Sequence, residues 1–270
     1  MLFEAKQVKK MIDRVCILDN ISMRIDANEV IAIVGKNGSG KSSLLKLIGS
    51  IYEPTSGNVI RSTKKIGYVP EHFPDNIRFS IKEYLLLMGK MSGGKQAEVE
   101  KQIEYYGSLF NIQTFLQTKV KNCSKGTKQK AGIIQALIKK PDLLLLDEPL
   151  TGLDEASQEE LLTQLSIVDV QAVVFTAHES LLINQLASRI VEIDHGKITS
   201  DLLVDKWDAY KVIKLKIPSR EFVNKFDNIL DYKFHSEQVV TVTIKSKECD
   251  DFLLVSLQGG CSVLEVCEKR

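Results

Sequence analysis

Nothing in this chain of 270 residues approaches the ~20 consecutive apolar residues that a membrane-spanning helix requires. Met1-Leu2-Phe3-Glu4-Ala5-Lys6 also lacks the apolar core of a secretory signal. The expectation is a chain soluble by itself, whose membrane role must run through a partner. Cysteine is scarce and irregular. Cys16, Cys123, Cys249, Cys261 and Cys267 are odd in number, scattered and without a C-x-x-C pair. That pattern suggests neither a disulfide framework nor a zinc site, and fits reduced thiols in the cytosol. Charge of one sign is missing as well: a net +1 is not the basic excess that nucleic-acid surfaces carry. Lysines do crowd positions 119, 121, 125, 128 and 130, but such a run reads first as a solvated helix face. Repeats and low-complexity tracts are absent. What remains is an ordinary globular composition, 44% apolar and 26% charged, long enough for one large α/β domain and a smaller one.

Against that plain background Gly35-Lys36-Asn37-Gly38-Ser39-Gly40-Lys41-Ser42 stands out as a complete phosphate-binding loop. It follows the apolar run Val30-Ile31-Ala32-Ile33-Val34 and precedes the helix-compatible Ser42-Ser43-Leu44-Leu45-Lys46-Leu47-Ile48. Strand, glycine loop and helix in that order give the motif its meaning. The glycines let backbone N–H groups turn inward around an anion, and the helix aims its positive dipole end at the same point. Lys41 is expected to reach the β- and γ-phosphates, and the Ser42 hydroxyl to ligate Mg²⁺. Residues from Gly35 to Ser43 are therefore the candidate ATP-binding positions.

A phosphate loop needs an acidic partner for its metal. Leu143-Leu144-Leu145-Leu146 before Asp147-Glu148-Pro149 suits a parallel strand buried on both faces, with Asp147 placed to hold Mg²⁺ and Glu148 to activate water. Two acids after a strand are common on loops. The phosphate loop is what gives this pair its weight.

Several further segments resemble, in chain order, the ATP-binding subunits of ABC transporters, over roughly residues 1–200. Cys123-Ser124-Lys125-Gly126-Thr127 is similar to that family's signature motif in a lysine-bearing variant. Leu150-Thr151-Gly152-Leu153-Asp154 is similar to its D-loop, Thr176-Ala177-His178 to its switch-histidine segment, and Ile66-Gly67-Tyr68-Val69-Pro70-Glu71 to its Q-loop. From the residues alone, Ser124 is a plain helix N-cap and His178 a satisfied polar residue at a strand end. The resemblance implies more. Ser124 and Gly126 would reach the γ-phosphate held by a second copy, so that a homodimer sandwiches two ATP molecules. His178 would position that phosphate and the water beside Glu148, while Asp154 orders the interface.

Four positions depart from the commonest family pattern. Glu71 replaces a glutamine and still offers Mg²⁺ an oxygen. Lys125 replaces a glycine and Thr127 a glutamine. Ile12 falls near the position that usually stacks an aromatic ring on adenine, leaving base specificity open. The catalytic set implied is Lys41, Glu148 and His178, and the metal set Ser42, Asp147 and Glu71.

The rest of the chain gives the architecture. Residues 1–70 read as short strands around the phosphate loop. Ser80-Ile81-Lys82-Glu83 is a capping box opening a helix through about Met91, Ser92-Gly93-Gly94 breaks it, and another helix begins near Gln96. Residues 72–140 form a helical subdomain. In the resembled family it carries the groove for a transmembrane partner, which Phe73, Phe79, Tyr84 and Met88 would line unless they are core. Beyond residue 200, strands near 211–217, 231–236, 238–245 and 262–266, a short helix after Ser219 and a helix over 248–258 give a β-α-β-β-α-β order, that of a ferredoxin-like module. Trp207 at the junction reads as a packing anchor. The expected fold class is α/β, an ABC-type P-loop ATPase over 1–200 with a small C-terminal α+β domain over 201–270.

The function expected is ATP hydrolysis driving a separate permease from the cytoplasmic face of the membrane. The lysine-bearing signature and the appended domain resemble the bacterial ABC-2 exporter branch and favour export of a peptide or antibiotic. The alternative is a non-transport ATPase of the same class acting on ribosomes or DNA. Balanced charge and a single ATPase half argue against it.

Overall fold

The computed structural model describes residues 1–74, 76–177, 183, 185–204, 210–226, 228–245 and 248–269. His178 and Trp207 lie outside the described residues. The chain divides into two units, Met1–Val204 and Asp205–Arg270.

The first unit begins with two long strands, β1 (Phe3–Ile12) and β2 (Val15–Ile25), where short strands were expected. Asp13 and Arg14 join them with φ of +47° and +66°, the sign pattern of a type I′ hairpin turn. β4 (Ser56–Arg61) pairs with the other side of β1, making an antiparallel sheet ordered β2-β1-β4. A second sheet contains β3 (Val30–Val34), β5 (Ile66–Val69), β6 (Leu143–Leu146), β7 (Ala172–Thr176), β8 (Arg189–Asp194) and β9 (Lys197–Leu203). Its order is β5-β6-β7-β3-β8-β9, parallel except for the edge strand β9.

β6 shows why four consecutive leucines can be a strand. Leu143 and Leu145 enter the core shared with β1, β2 and helix α1 (Lys41–Ile48), whereas Leu144 and Leu146 enter the core beneath the helical subdomain. All four are fully buried. Alternation along the strand thus fills two cores, each side chain worth roughly 1.5–3 kcal/mol.

The helical subdomain comprises α2 (Ile81–Met91), α3 (Gln96–Leu109) and α4 (Lys125–Ile138), inserted between β5 and β6. α2 starts where the capping box places it: the Ser80 hydroxyl accepts the Glu83 N–H, and the Glu83 carboxylate accepts the Ser80 N–H at 2.7 Å. Phe73 and Tyr84 meet edge to face at 5.4 Å and pack on the core, and Met88 is half-buried. Of the four groove candidates only Phe79 is exposed. α5 (Glu155–Ser166) follows the acidic pair.

The second unit contains β10 (Tyr210–Lys216), a 3₁₀ turn at Arg220–Lys225, β11 (Ile229–Phe234), β12 (Val239–Lys245), α6 (Cys249–Gln258) and β13 (Ser262–Lys269). The antiparallel order β11-β12-β10-β13 is that of a ferredoxin-like sheet. Ile213, Leu215, Val240, Val242 and Ile244 form its core with Phe222 and Phe252. The first helix of the expected pattern is reduced to the 3₁₀ turn.

Candidate ATP site

The site is built at the carboxyl ends of the parallel strands, where ligand sites of such sheets collect. β3 delivers the phosphate loop. Gly35 enters it with φ +150°, and a Cβ there would collide with the Ile193 carbonyl on β8. Gly40, with φ +111°, precedes α1, whose N-terminus has no side-chain cap; its first N–H groups suit an anion. Ser39 is 4% exposed, and its hydroxyl oxygen has no protein partner.

Lys41 is also nearly buried and folds back on the loop, donating to the Gly35 carbonyl at 3.0 Å and the Lys36 carbonyl at 3.2 Å. Its Nζ lies 3.9 Å from Glu148 Oε1. Burial pulls the lysine below its ordinary pKa, against the opposing attraction of Glu148, Asp147 and Glu71. A polyphosphate brought to this ammonium would favour its charged form.

Asp147, 3% exposed, ends β6 and is held by three hydroxyls. Oδ1 accepts from Ser42 at 2.9 Å and from Thr176 at 2.8 Å, and Oδ2 accepts from Tyr68 at 3.2 Å. Burial, followed by the neighbouring Asp147, pushes the Tyr68 phenol well above its ordinary value, so it stays a donor. Glu148 follows at φ +47°, a left-handed conformation uncommon for a residue with a side chain. Its N–H donates to Thr176 Oγ1 at 2.8 Å, and Thr151 donates to its Oε2 at 3.1 Å.

Between these groups lies a cleft of about 520 Å³. Asn37, Gly38, Gly40 and the Lys41–Ser43 helix start line it together with Ile17, Glu71 and Glu148. Ile17 supplies the apolar contact; Ile12, at the hairpin end, is not among the described lining residues. The donors present fit a triphosphate. Ser42 with Asp147, and Glu71 in the cleft lining, offer hard oxygen ligands suited to Mg²⁺, which takes one or two carboxylates plus phosphate oxygens rather than a full protein cage. Among the described residues no cluster of three His, Cys, Asp or Glu side chains forms such a cage.

Ser124 caps α4, its hydroxyl accepting the Thr127 N–H at 3.2 Å and pairing with the Thr127 hydroxyl at 2.9 Å. Neither Ser124 nor Gly126 is among the described lining residues of the phosphate-loop cleft in its own chain. The Lys125 ammonium lies over Gly152, and Leu153 packs opposite Gly126, so the signature-like and D-loop-like segments touch. Asp154 caps α5, accepting the Ser157 N–H at 2.8 Å.

Sequence reasoning missed Tyr68, Thr151, Thr176 and Ile17 as site residues. The first three lie inside segments it had singled out, each as an unremarked hydroxyl near an acid.

A phosphate loop opening α1 and an acidic pair ending β6, with a helical subdomain between them, define a P-loop ATPase. Residues 18–151 match the ABC transporter family. An uncharacterized ABC transporter ATP-binding protein of Methanocaldococcus jannaschii is 28% identical over 250 residues, covering 88% of this chain and 92% of that one. A zinc import ATP-binding protein of Aliivibrio fischeri is 31% identical over 185 residues, covering 66% and 70%. Among solved structures, the dimeric post-hydrolysis state of an ATP-binding cassette bound to ADP and Pi superposes with a TM-score of 0.67, at 24% identity over 75% of this chain and 98% of that one. The chain belongs to the family of ABC transporter ATP-binding proteins and is an ATP-binding, ATP-hydrolysing subunit.

Proposed function

We propose that two copies of this chain close head to tail on two ATP molecules at the cytoplasmic face of a membrane, driving a separate permease that exports a peptide, an antibiotic or a similar compound. One observation carries the catalytic part: Lys41, Ser42, Asp147 and Glu148 are tied together around a single cleft, Ser42 to Asp147 at 2.9 Å and Lys41 to Glu148 at 3.9 Å.

In this reading Lys41 leaves the loop carbonyls for the β- and γ-phosphates. Ser42 and Asp147, with Glu71 in the cleft lining, would hold Mg²⁺, which supplies charge neutralisation on the phosphate oxygens. The Glu148 carboxylate orients a water and takes its proton as the water oxygen bonds to the γ-phosphorus and the bond to ADP breaks. His178 positions the same phosphate. Ser124 and Gly126 come from the second copy, which agrees with their place outside their own chain's described cleft lining and with the dimeric cassette that shares the fold. Ile17 offers apolar contact without π-stacking, so base selectivity is loose.

No helix among the described residues is long and apolar enough to cross a membrane. In this reading the permease is a separate chain. The lysine-bearing signature and the ferredoxin-like second unit support export; the name of the zinc import relative stands for the opposite direction. Purification from detergent-solubilised membranes tests the assignment. A polytopic membrane protein should co-purify, and ATP should drive labelled peptide into inside-out vesicles containing the pair. Salt-sensitive recovery with RNA or DNA and no membrane protein would contradict the reading and favour action on ribosomes or DNA.

A further inference from the structure

Thr176 ends β7, is fully buried, and its hydroxyl makes two bonds at once. It donates to Asp147 Oδ1 at 2.8 Å and accepts the Glu148 N–H at 2.8 Å. A hydroxyl has one proton; with that proton on the carboxylate, its lone pairs face the amide, so both contacts hold without conflict. We propose that Thr176 is a positioning residue for ATP hydrolysis, one hydroxyl fixing the metal-binding carboxylate and the general base relative to each other. This rests on the roles given above to Asp147 and Glu148.

The backbone of Glu148 shows the need for such a tie. At φ +47° it occupies a conformation that persists only when its surroundings impose it. Thr151 holds the carboxylate from within the same turn, but the Thr176 hydroxyl holds the backbone from a different strand. Asp147 Oδ1 accepts from Ser42 as well, so the same contact extends to the hydroxyl offered to the metal. Register delivers the group: β6 and β7 run parallel with Leu146 opposite Phe175, which sets Thr176 beside the residue after the strand. Thr176 also stands two residues before His178, so the tie reaches the strand end from which that segment departs.

The consequence is a separation of chemistry from binding. A valine at 176 keeps the branched shape and leaves Asp147 bonded to Ser42 and Tyr68, but releases the Glu148 backbone. Misplacing a catalytic group by about 1 Å can cost about a hundredfold in turnover. Thr176→Val should therefore lower kcat by about that factor, with ATP affinity measured without Mg²⁺ held within about twofold. Thr176→Ser, which retains the hydroxyl, should restore most of the turnover. In a Glu148→Gln background the valine should add no further loss, because residues acting through one another are non-additive. Thr176→Ala, which adds no atoms, carries the same test if the valine variant does not fold.

Wild-type kcat in Thr176→Val while Glu148→Gln is inactive would overturn the positioning role alone. So would a loss that serine does not rescue, or one shared equally by affinity and melting temperature. Wild-type turnover by Glu148→Gln would instead withdraw the base assignment on which the proposal stands.

Discussion

At the scale of single residues, Lys41 holds an ammonium in a nearly dry site with loop carbonyls as its hydrogen-bond acceptors. Such carbonyls are weak substitutes for a phosphate, and burial already biases the group toward its neutral form. Removing it should therefore act on nucleotide binding first. Lys41→Ala is expected to weaken ATP affinity about ten- to a hundredfold, the worth of a charge-assisted hydrogen bond or two. Equal titration curves for variant and wild type would refute the role. The phosphate loop was legible in the sequence because its glycine spacing between a strand and a helix is specific, and it gave weight to an acidic pair that is common on loops. Thr176 and Tyr68 were not legible. Threonine and tyrosine are ordinary strand residues, and nothing in a one-dimensional pattern shows that their hydroxyls converge on Asp147 from two different strands.

Elements were readable wherever local chemistry decides them. Ser80 and Glu83 announce α2, Ser124 announces α4, and four leucines announce a strand buried on both faces. The length of β1 is hidden in the sequence because its alternation breaks. Phe3 and Ala5 keep period two, the pairing with β2 then shifts between Ala5 and Val8, and Gln7 sits at φ +50°. A bulge of this kind joins what looks in sequence like two fragments.

The caps also set a pH dependence. Hydrogen bonds from Ser80 hold the Glu83 carboxyl below its ordinary value of 4.5, and the Ser157 N–H holds Asp154 below 3.8. A depressed carboxylate stabilises the fold fully above its unfolded value, and that contribution is lost as pH falls through the folded one. The loss should set in from about pH 4.5 downward. In urea titrations across that range, Glu83→Gln and Asp154→Asn should show shallower acid limbs than the wild type. Superimposable limbs would contradict the capping account.

For the molecule as a whole, the division of labour follows the two units. Met1–Val204 contains every candidate ATP-site residue together with both of its own cores. The ferredoxin-like unit folds around a separate core, and its described residues bring no recognised catalytic constellation. Helical insertion and parallel sheet were legible from motif order, because strand, loop and helix alternate visibly along the chain. Ser124 caps its helix outside the described lining of its own phosphate cleft. In the proposed reading a second copy supplies it, so hydrolysis calls for two copies. Light scattering of Glu148→Gln with Mg²⁺ and ATP, with phosphate release followed in the same sample, tests this most directly. The variant should bind ATP, gather into a stable dimer and release almost no phosphate. Phosphate release at the wild-type rate, or an ATP-loaded variant that stays monomeric, would contradict the account.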